Sequence, residues 1–190
     1  MFILKKKYYL IIENTKDINL KKIKKRNKFV VIYRNKKNNE KKTDLIKFRK
    51  KCKLGSIDFF VANNLKLANN LGADGIYLSS YNKSFRPLSL KRSKFHIIGS
   101  AHSNKEIFMK IKQGCKIILF SKLFIVKYNK KAVHLGVVKF NNFLNVNRNL
   151  IPLGGIHLGN LNSLKMINCE GLAIMSEVKK KPANIINRLF

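Results

Sequence analysis

Short apolar runs return along the whole length of this chain, and each is followed by a polar stretch with a helical or turn-like pattern. A strand that is apolar throughout must be covered on both faces, the condition of a parallel sheet under helices and not of an antiparallel sheet with a wet face. The runs fall at residues 8–12, 28–33, 58–62, 75–78, 96–99, 116–120, 150–156 and 172–175. Strict alternation of about eight strands with helices predicts one closed (β/α)8 barrel, the TIM-barrel form of α/β architecture. The G-x-G-x-x-G fingerprint of open dinucleotide-binding sheets is absent, which weakens the doubly wound alternative.

The connecting segments carry weaker signals. Residues 18–23 predict a short helix and 34–39 a polar loop. Across 43–52, Leu45, Ile46, Phe48 and Cys52 form an apolar helical stripe that stops at Gly55. Leu65, Ala68 and Leu71 share one side of a helix at 64–71, ended by Gly72. Residues 79–95 contain Pro87 and predict one reduced helix, and 103–113 predict a fuller one with Ile107, Ile111 and Met109 facing the barrel. The stretch 121–138 lacks periodicity and is a candidate active-site loop, whereas 182–189 predict a terminal helix. A chain of 190 residues with 45% hydrophobic content suffices for one domain, residues 1–190. Barrels of this kind usually need about 200 residues or more, so the outer helices and loops should be short.

The formal charge of +32 comes from 41 basic and 9 acidic residues and raises the possibility of a nucleic-acid partner. Lysine is nevertheless spread along the chain beside abundant Asn and Ile, the pattern of a broad compositional bias. Cys52, Cys115 and Cys169 are odd in number and widely spaced, which indicates neither a disulfide framework nor a zinc site. The apolar run at 8–12 is too short for a membrane span and no cleavage site follows it. A cytoplasmic protein is the expectation.

Chemistry concentrates at the ends of the last two runs. Residues 150–156, Leu-Ile-Pro-Leu-Gly-Gly-Ile, read as a buried strand that delivers the bare backbone of Gly154 and Gly155 to a ligand. The next run ends in Met175 and Ser176, and in a (β/α)8 barrel the loops after strands seven and eight often form a phosphate site. A tight turn at the glycines and a helix cap at Ser176 would read the same residues without a ligand. His102 and His157 follow strand ends and could act as bases, while His96 and His134 have no comparable placement.

Over nearly its full length the chain resembles the thiamine phosphate synthase and thiazole tautomerase superfamily. The most specific match is Leu71-Gly72-Ala73-Asp74-Gly75-Ile76-Tyr77-Leu78, similar to that family's Leu-Gly-Ala-Asp-Gly-Val-His-Leu. Tyr9-Leu10-Ile11-Ile12, Ile98-Gly99-Ser100-Ala101-His102, Leu153-Gly154-Gly155-Ile156 and residues 171–176 follow in the family's order. The resemblance implies a transferase that joins an aminopyrimidine methyl diphosphate to a thiazole phosphate, with release of diphosphate. Its partners would be small phosphorylated substrates.

By the same resemblance, Arg34 and Lys36 hold the diphosphate and Ser100 contacts the pyrimidine, with Lys130 a further diphosphate ligand after a one-residue shift from Asn129. Gly154, Gly155, Ser176 and the backbone amide of Met175 form the thiazole phosphate cup. The family's Mg²⁺ is bound by two aspartates, and Asn63 and Asn82 stand at the matching positions, which bring no charge to a metal. The threonine-rich loop after strand six is replaced by Ile125-Val126-Lys127-Tyr128, and Lys122 stands where the tautomerase branch has its catalytic histidine. These departures leave two further readings open: a barrel that binds a thiazole or thiamine phosphate without turnover, and a tautomerase.

Overall fold

The computed structural model describes residues 5–23, 26–35, 37, 39–89, 95–126, 131 and 133–180. Eight strands close a barrel in chain order: β1 (Lys7–Ile12), β2 (Phe29–Tyr33), β3 (Asp58–Ala62), β4 (Gly75–Leu78), β5 (His96–Ala101), β6 (Ile117–Ser121), β7 (Leu150–Leu153) and β8 (Gly171–Ile174). Every neighbouring pair is parallel, and β8 returns to β1 with Lys7 opposite Gly171. The expected (β/α)8 barrel is therefore the fold.

Alternation along each strand divides the apolar side chains into two cores. Tyr9, Ile11, Val30, Ile32, Phe60, Tyr77, Ile98, Leu119, Ile151 and Ala173 fill the barrel interior. Residues of opposite parity, such as Tyr8, Leu10, Val31, Phe59 and Phe120, pack beneath the outer layer. Continuing the inward parity past the interior layer brings Glu13, Arg34, Ala62, Ser79, Ser100, Ser121, Leu153 and Met175 to the C-terminal end of the barrel.

The outer layer is reduced, as the chain length predicts. α1 (Lys42–Leu54), α2 (Leu65–Asn70), α3 (Asn104–Lys112), α4 (Gly136–Val146) and α5 (Ser176–Lys180) follow β2, β3, β5, β6 and β8. Among the described residues the other three connections contain only 3-10 turns: Thr15–Asp17, Leu20–Lys22 and Arg26–Lys28 after β1, Arg86–Ser89 after β4, and Leu158–Asn160 with Asn162–Met166 after β7. The helix expected at 18–23 is one of these turns, because Asn19 caps the backbone at Lys21 and the chain leaves again at Ile23.

Several boundaries depart from expectation. The run at 150–156 leaves the sheet after Leu153, where Gly154 and Gly155 take φ of +97° and +70°. The stretch at 121–138 is not all loop: α4 starts at Gly136, and Phe140 and Leu144 are buried one turn apart. Asparagines between these apolar residues hide the stripe in the sequence, yet Phe143 reaches Phe120 of β6 edge-on at 4.9 Å. On α3, Ile107 is buried as expected but Ile111 is 48% exposed. Lys110 takes the inward position instead, fully buried. The terminal helix expected at 182–189 lies outside the described residues.

Within the most specific sequence motif, Asp74 and Gly75 prove to be architectural. Asp74, just before β4, accepts from the Phe59 amide at 2.7 Å and from Arg49 Nη2 at 2.8 Å, locking β3 and α1 together at the N-terminal end of the barrel. A Cβ at Gly75 would collide with the His96 carbonyl of β5, so only glycine lets these strands approach.

Candidate functional site

At the C-terminal mouth a cavity of about 500 Å³ is bordered by strand ends from around the barrel. β7 and β8 contribute Gly154, Gly155, Met175 and Ser176, β5 contributes Ser100, and Arg34 enters from the end of β2. The residues expected to hold two phosphorylated groups thus border one space, with Arg34 on one side and the glycine pair on the other. Lys36 and Lys130 lie outside the described residues.

Glycine is required on the second side. A Cβ at Gly155 would stand 2.5 Å from the Ile125 carbonyl oxygen and 2.6 Å from the Phe124 carbonyl carbon, in a backbone conformation that side chains already disfavour. The turn is held by the Phe124 amide donating to the Gly154 carbonyl and by Asn160 Nδ2 donating to the Gly155 carbonyl at 2.8 Å. The segment after β6 therefore seals the back of the cup. α5 begins at Ser176 itself, so this serine stands at the first position of a short helix.

Arg34 is anchored through its backbone, whose amide donates to the Ile12 carbonyl at 2.8 Å. Its Nε is buried without a hydrogen-bond partner, a donor that an anionic ligand can satisfy. Ser100 hydrogen-bonds to the Tyr77 hydroxyl at the cavity floor. Burial pushes the Tyr77 pKa up, and the Ser100 bond and the Arg34 charge act against that rise, so the phenol stays protonated and can donate.

A serine and histidine pair, not apparent from sequence, lies at the same mouth. Ser121 Oγ and His102 Nδ1 are 2.8 Å apart, and both residues border the cavity. The His102 backbone amide donates to Glu106 Oε2 at 2.6 Å, fixing the residue at the start of α3. The pair can hold or pass a proton at the Ser121 oxygen. Their positions 19 residues apart gave no local signal. Lys122, the position of the tautomerase histidine, borders the cavity as well.

A second cavity of about 580 Å³ adjoins the first, with Arg34 bordering both. Asn63, at φ +57°, and Asn82 stand in its wall. Asn63 Oδ1 accepts from the Ser79 amide at 2.9 Å and from Asn82 Nδ2 at 3.1 Å. Asn63 Nδ2 donates to Ser79 Oγ and Tyr81 Oη, and Asn82 Oδ1 accepts from the Ser84 amide. Mg²⁺ demands charged or free oxygen donors in near-octahedral array. Here the Asn63 oxygen already accepts two bonds, neither amide carries charge, and no described carboxylate borders either cavity. This pair does not fit the ion.

A closed parallel barrel with two adjoining cavities at its C-terminal mouth defines the class of protein. The thiamine monophosphate synthase family matches residues 8–178, and the chain belongs to that family. A thiamine-phosphate synthase of Actinobacillus pleuropneumoniae serotype 7 is 23% identical over 147 residues, 74% of this chain and 66% of the relative, just under two thirds of its length. Among solved structures, a thiamine phosphate pyrophosphorylase from Pyrococcus furiosus superposes with TM-score 0.76 at 17% identity, covering 97% of this chain and 93% of that one. The KGPDC structure from Streptococcus mutans gives TM-score 0.67 at 9% identity, covering 98% and 96%. At such identities the structural likenesses show the barrel alone. Among the described residues no helix is long and apolar enough to cross a membrane.

Proposed function

We propose that this barrel is a transferase of the thiamine phosphate synthase type, which joins an aminopyrimidine methyl diphosphate to a thiazole phosphate and releases diphosphate. The observation that carries the reading is one cavity bordered by Arg34 just after β2 and by Gly154, Gly155, Met175 and Ser176 just after β7 and β8. A reaction between two phosphorylated substrates needs two anion-holding ends across one reaction space, and family membership points the same way.

Departure of diphosphate leaves its methylene carbon cationic while charge gathers on the leaving oxygen. Arg34, with its buried Nε, is placed to meet that charge with a directed donor. The backbone at Gly155 and Ser176 holds the acceptor phosphate, and Ser100 with Tyr77 offers polar contacts to the pyrimidine. No step is assigned to Mg²⁺. Mass spectrometry of a reaction containing both substrates tests the reading: thiamine phosphate should form with the native chain and fall at least about a hundredfold with Arg34→Ala. A folded protein that makes none overturns it.

A second reading, binding without turnover, draws on the Asn63 and Asn82 pair, in which Asn63 Oδ1 accepts from Asn82 Nδ2 and the Ser79 amide, and Asn82 Oδ1 accepts from the Ser84 amide. Calorimetric titration with thiamine phosphate separates the two. Heat of binding without product formation favours it.

A further inference from the structure

We propose that the cavity between the ends of β2, β3 and β4 binds a polyphosphate group without a divalent ion, its positive charge supplied by Arg34, Lys66 and Arg86. The proposal goes beyond the transferase reading, and rests on it only for which polyphosphate is the natural occupant.

The chemistry of the wall is one-sided. Arg34, Lys66 and Arg86 border this space and no described aspartate or glutamate does. A divalent cation approaching three positive charges is repelled, whereas a pyrophosphate is attracted by each of them. Arginine offers a planar set of donors suited to neighbouring phosphate oxygens, and lysine a mobile point charge. The buried Nε of Arg34, which has no partner, marks the junction with the mouth cavity.

The loop after β4 is held from behind. Lys110 on α3 is fully buried, and its Nζ donates to the carbonyls of Ser79 at 2.8 Å and Asn82 at 2.7 Å and to Gln113 Oε1 at 2.9 Å. Gln113 Nε2 in turn donates to the Asn82 and Ser84 carbonyls at 3.1 and 2.8 Å. Four bonds, two from the Lys110 ammonium and two from the amide of Gln113 at the C-terminal end of α3, thus gather the backbone after β4, and a fifth ties the two side chains together. Burial lowers the Lys110 pKa, with the Cys115 and Glu106 charges opposing. Buried from solvent, that charge is poorly screened by salt and adds to the positive field behind Asn82. Lys110 acts here as a positioning residue.

Calorimetric titration of the full chain with inorganic pyrophosphate at fixed ionic strength, once in EDTA and once in Mg²⁺, tests the inference. Binding in EDTA is expected, with Mg²⁺ tightening it by no more than about threefold. Arg86→Ala, at an exposed position that should not disturb folding, is expected to weaken EDTA binding about fivefold to tenfold, while Lys139→Ala on α4 leaves it unchanged. Binding that requires Mg²⁺, no binding, or binding equally strong in Arg34→Ala and Arg86→Ala overturns the proposal. Metal-free pyrophosphate binding by a chain that makes no thiamine phosphate would leave this inference standing and remove the transferase reading. Synthesis that occurs only with Mg²⁺, beside pyrophosphate binding that also needs it, would do the reverse.

Discussion

Asn82 Nδ2 donates to Asn63 Oδ1 at 3.1 Å, so the two amides at the expected metal positions are each other's partners. Their joint replacement in Asn63→Asp, Asn82→Asp puts two carboxylates face to face and removes that bond. Unfolding followed by circular dichroism in EDTA should drop by about 2–6 °C, at about 2–4 °C per kcal/mol for a chain of this size. Added Mg²⁺ should restore the loss in the double variant and leave the native midpoint where it was.

Gly155→Ala forces a Cβ against Phe124 and Ile125 at a φ of +70°. A cost of about 1–3 kcal/mol is expected from the strained backbone. The cup should distort with it, so binding of a thiazole phosphate, measured by calorimetry on the folded fraction, should weaken at least about tenfold. Unchanged affinity would separate the glycine pair from the phosphate.

Asp74→Ala leaves the buried Phe59 amide without its acceptor and Arg49 without its ion-pair partner. The unsatisfied amide should cost about 1–3 kcal/mol, read as a lower midpoint in urea. Because Asp74 sits at the end of the barrel away from the mouth, turnover per folded molecule should stay at the native level. A specific loss of turnover would contradict its purely architectural assignment.

All three cysteines are buried and unpaired. Burial pushes Cys52 and Cys115 up to about 12, and raises Cys169 as well. The thiolate is the reacting form, so at pH 8 a thiol at about 12 reacts roughly a thousandfold more slowly than an ordinary exposed one. Native protein treated with iodoacetamide should therefore stay unmodified by mass, and all three sites should alkylate once the chain is unfolded in guanidinium.

The local chemistry of the chain was enough for a large part of this. Runs apolar on both faces at 8–12, 58–62 and 75–78 can only be interior parallel strands, and their number fixed the barrel. Gly154 and Gly155 were legible as a break in the backbone because paired glycines end an apolar run, and the structure gives both the positive φ that glycine favours. The stripe in α4 was missed because asparagines interrupt it, and Ile111 was placed inward because an apolar residue at helical spacing outweighs a lysine when burial cannot be seen.

Barrel closure decided the rest. His102 meets Ser121 only because β5 and β6 run side by side, and Asn63 meets Asn82 only because β3 and β4 bring their following loops together. Lys110 reads as one more surface charge among 41 basic residues until α3 packs over β5 and presents it to the carbonyls of Ser79 and Asn82, 31 and 28 positions away. Residue type and spacing carry secondary structure and the glycine cup, since both depend on neighbours in the chain. The partner of a buried amide or ammonium depends on neighbours in space, and those exist only once the strands have closed.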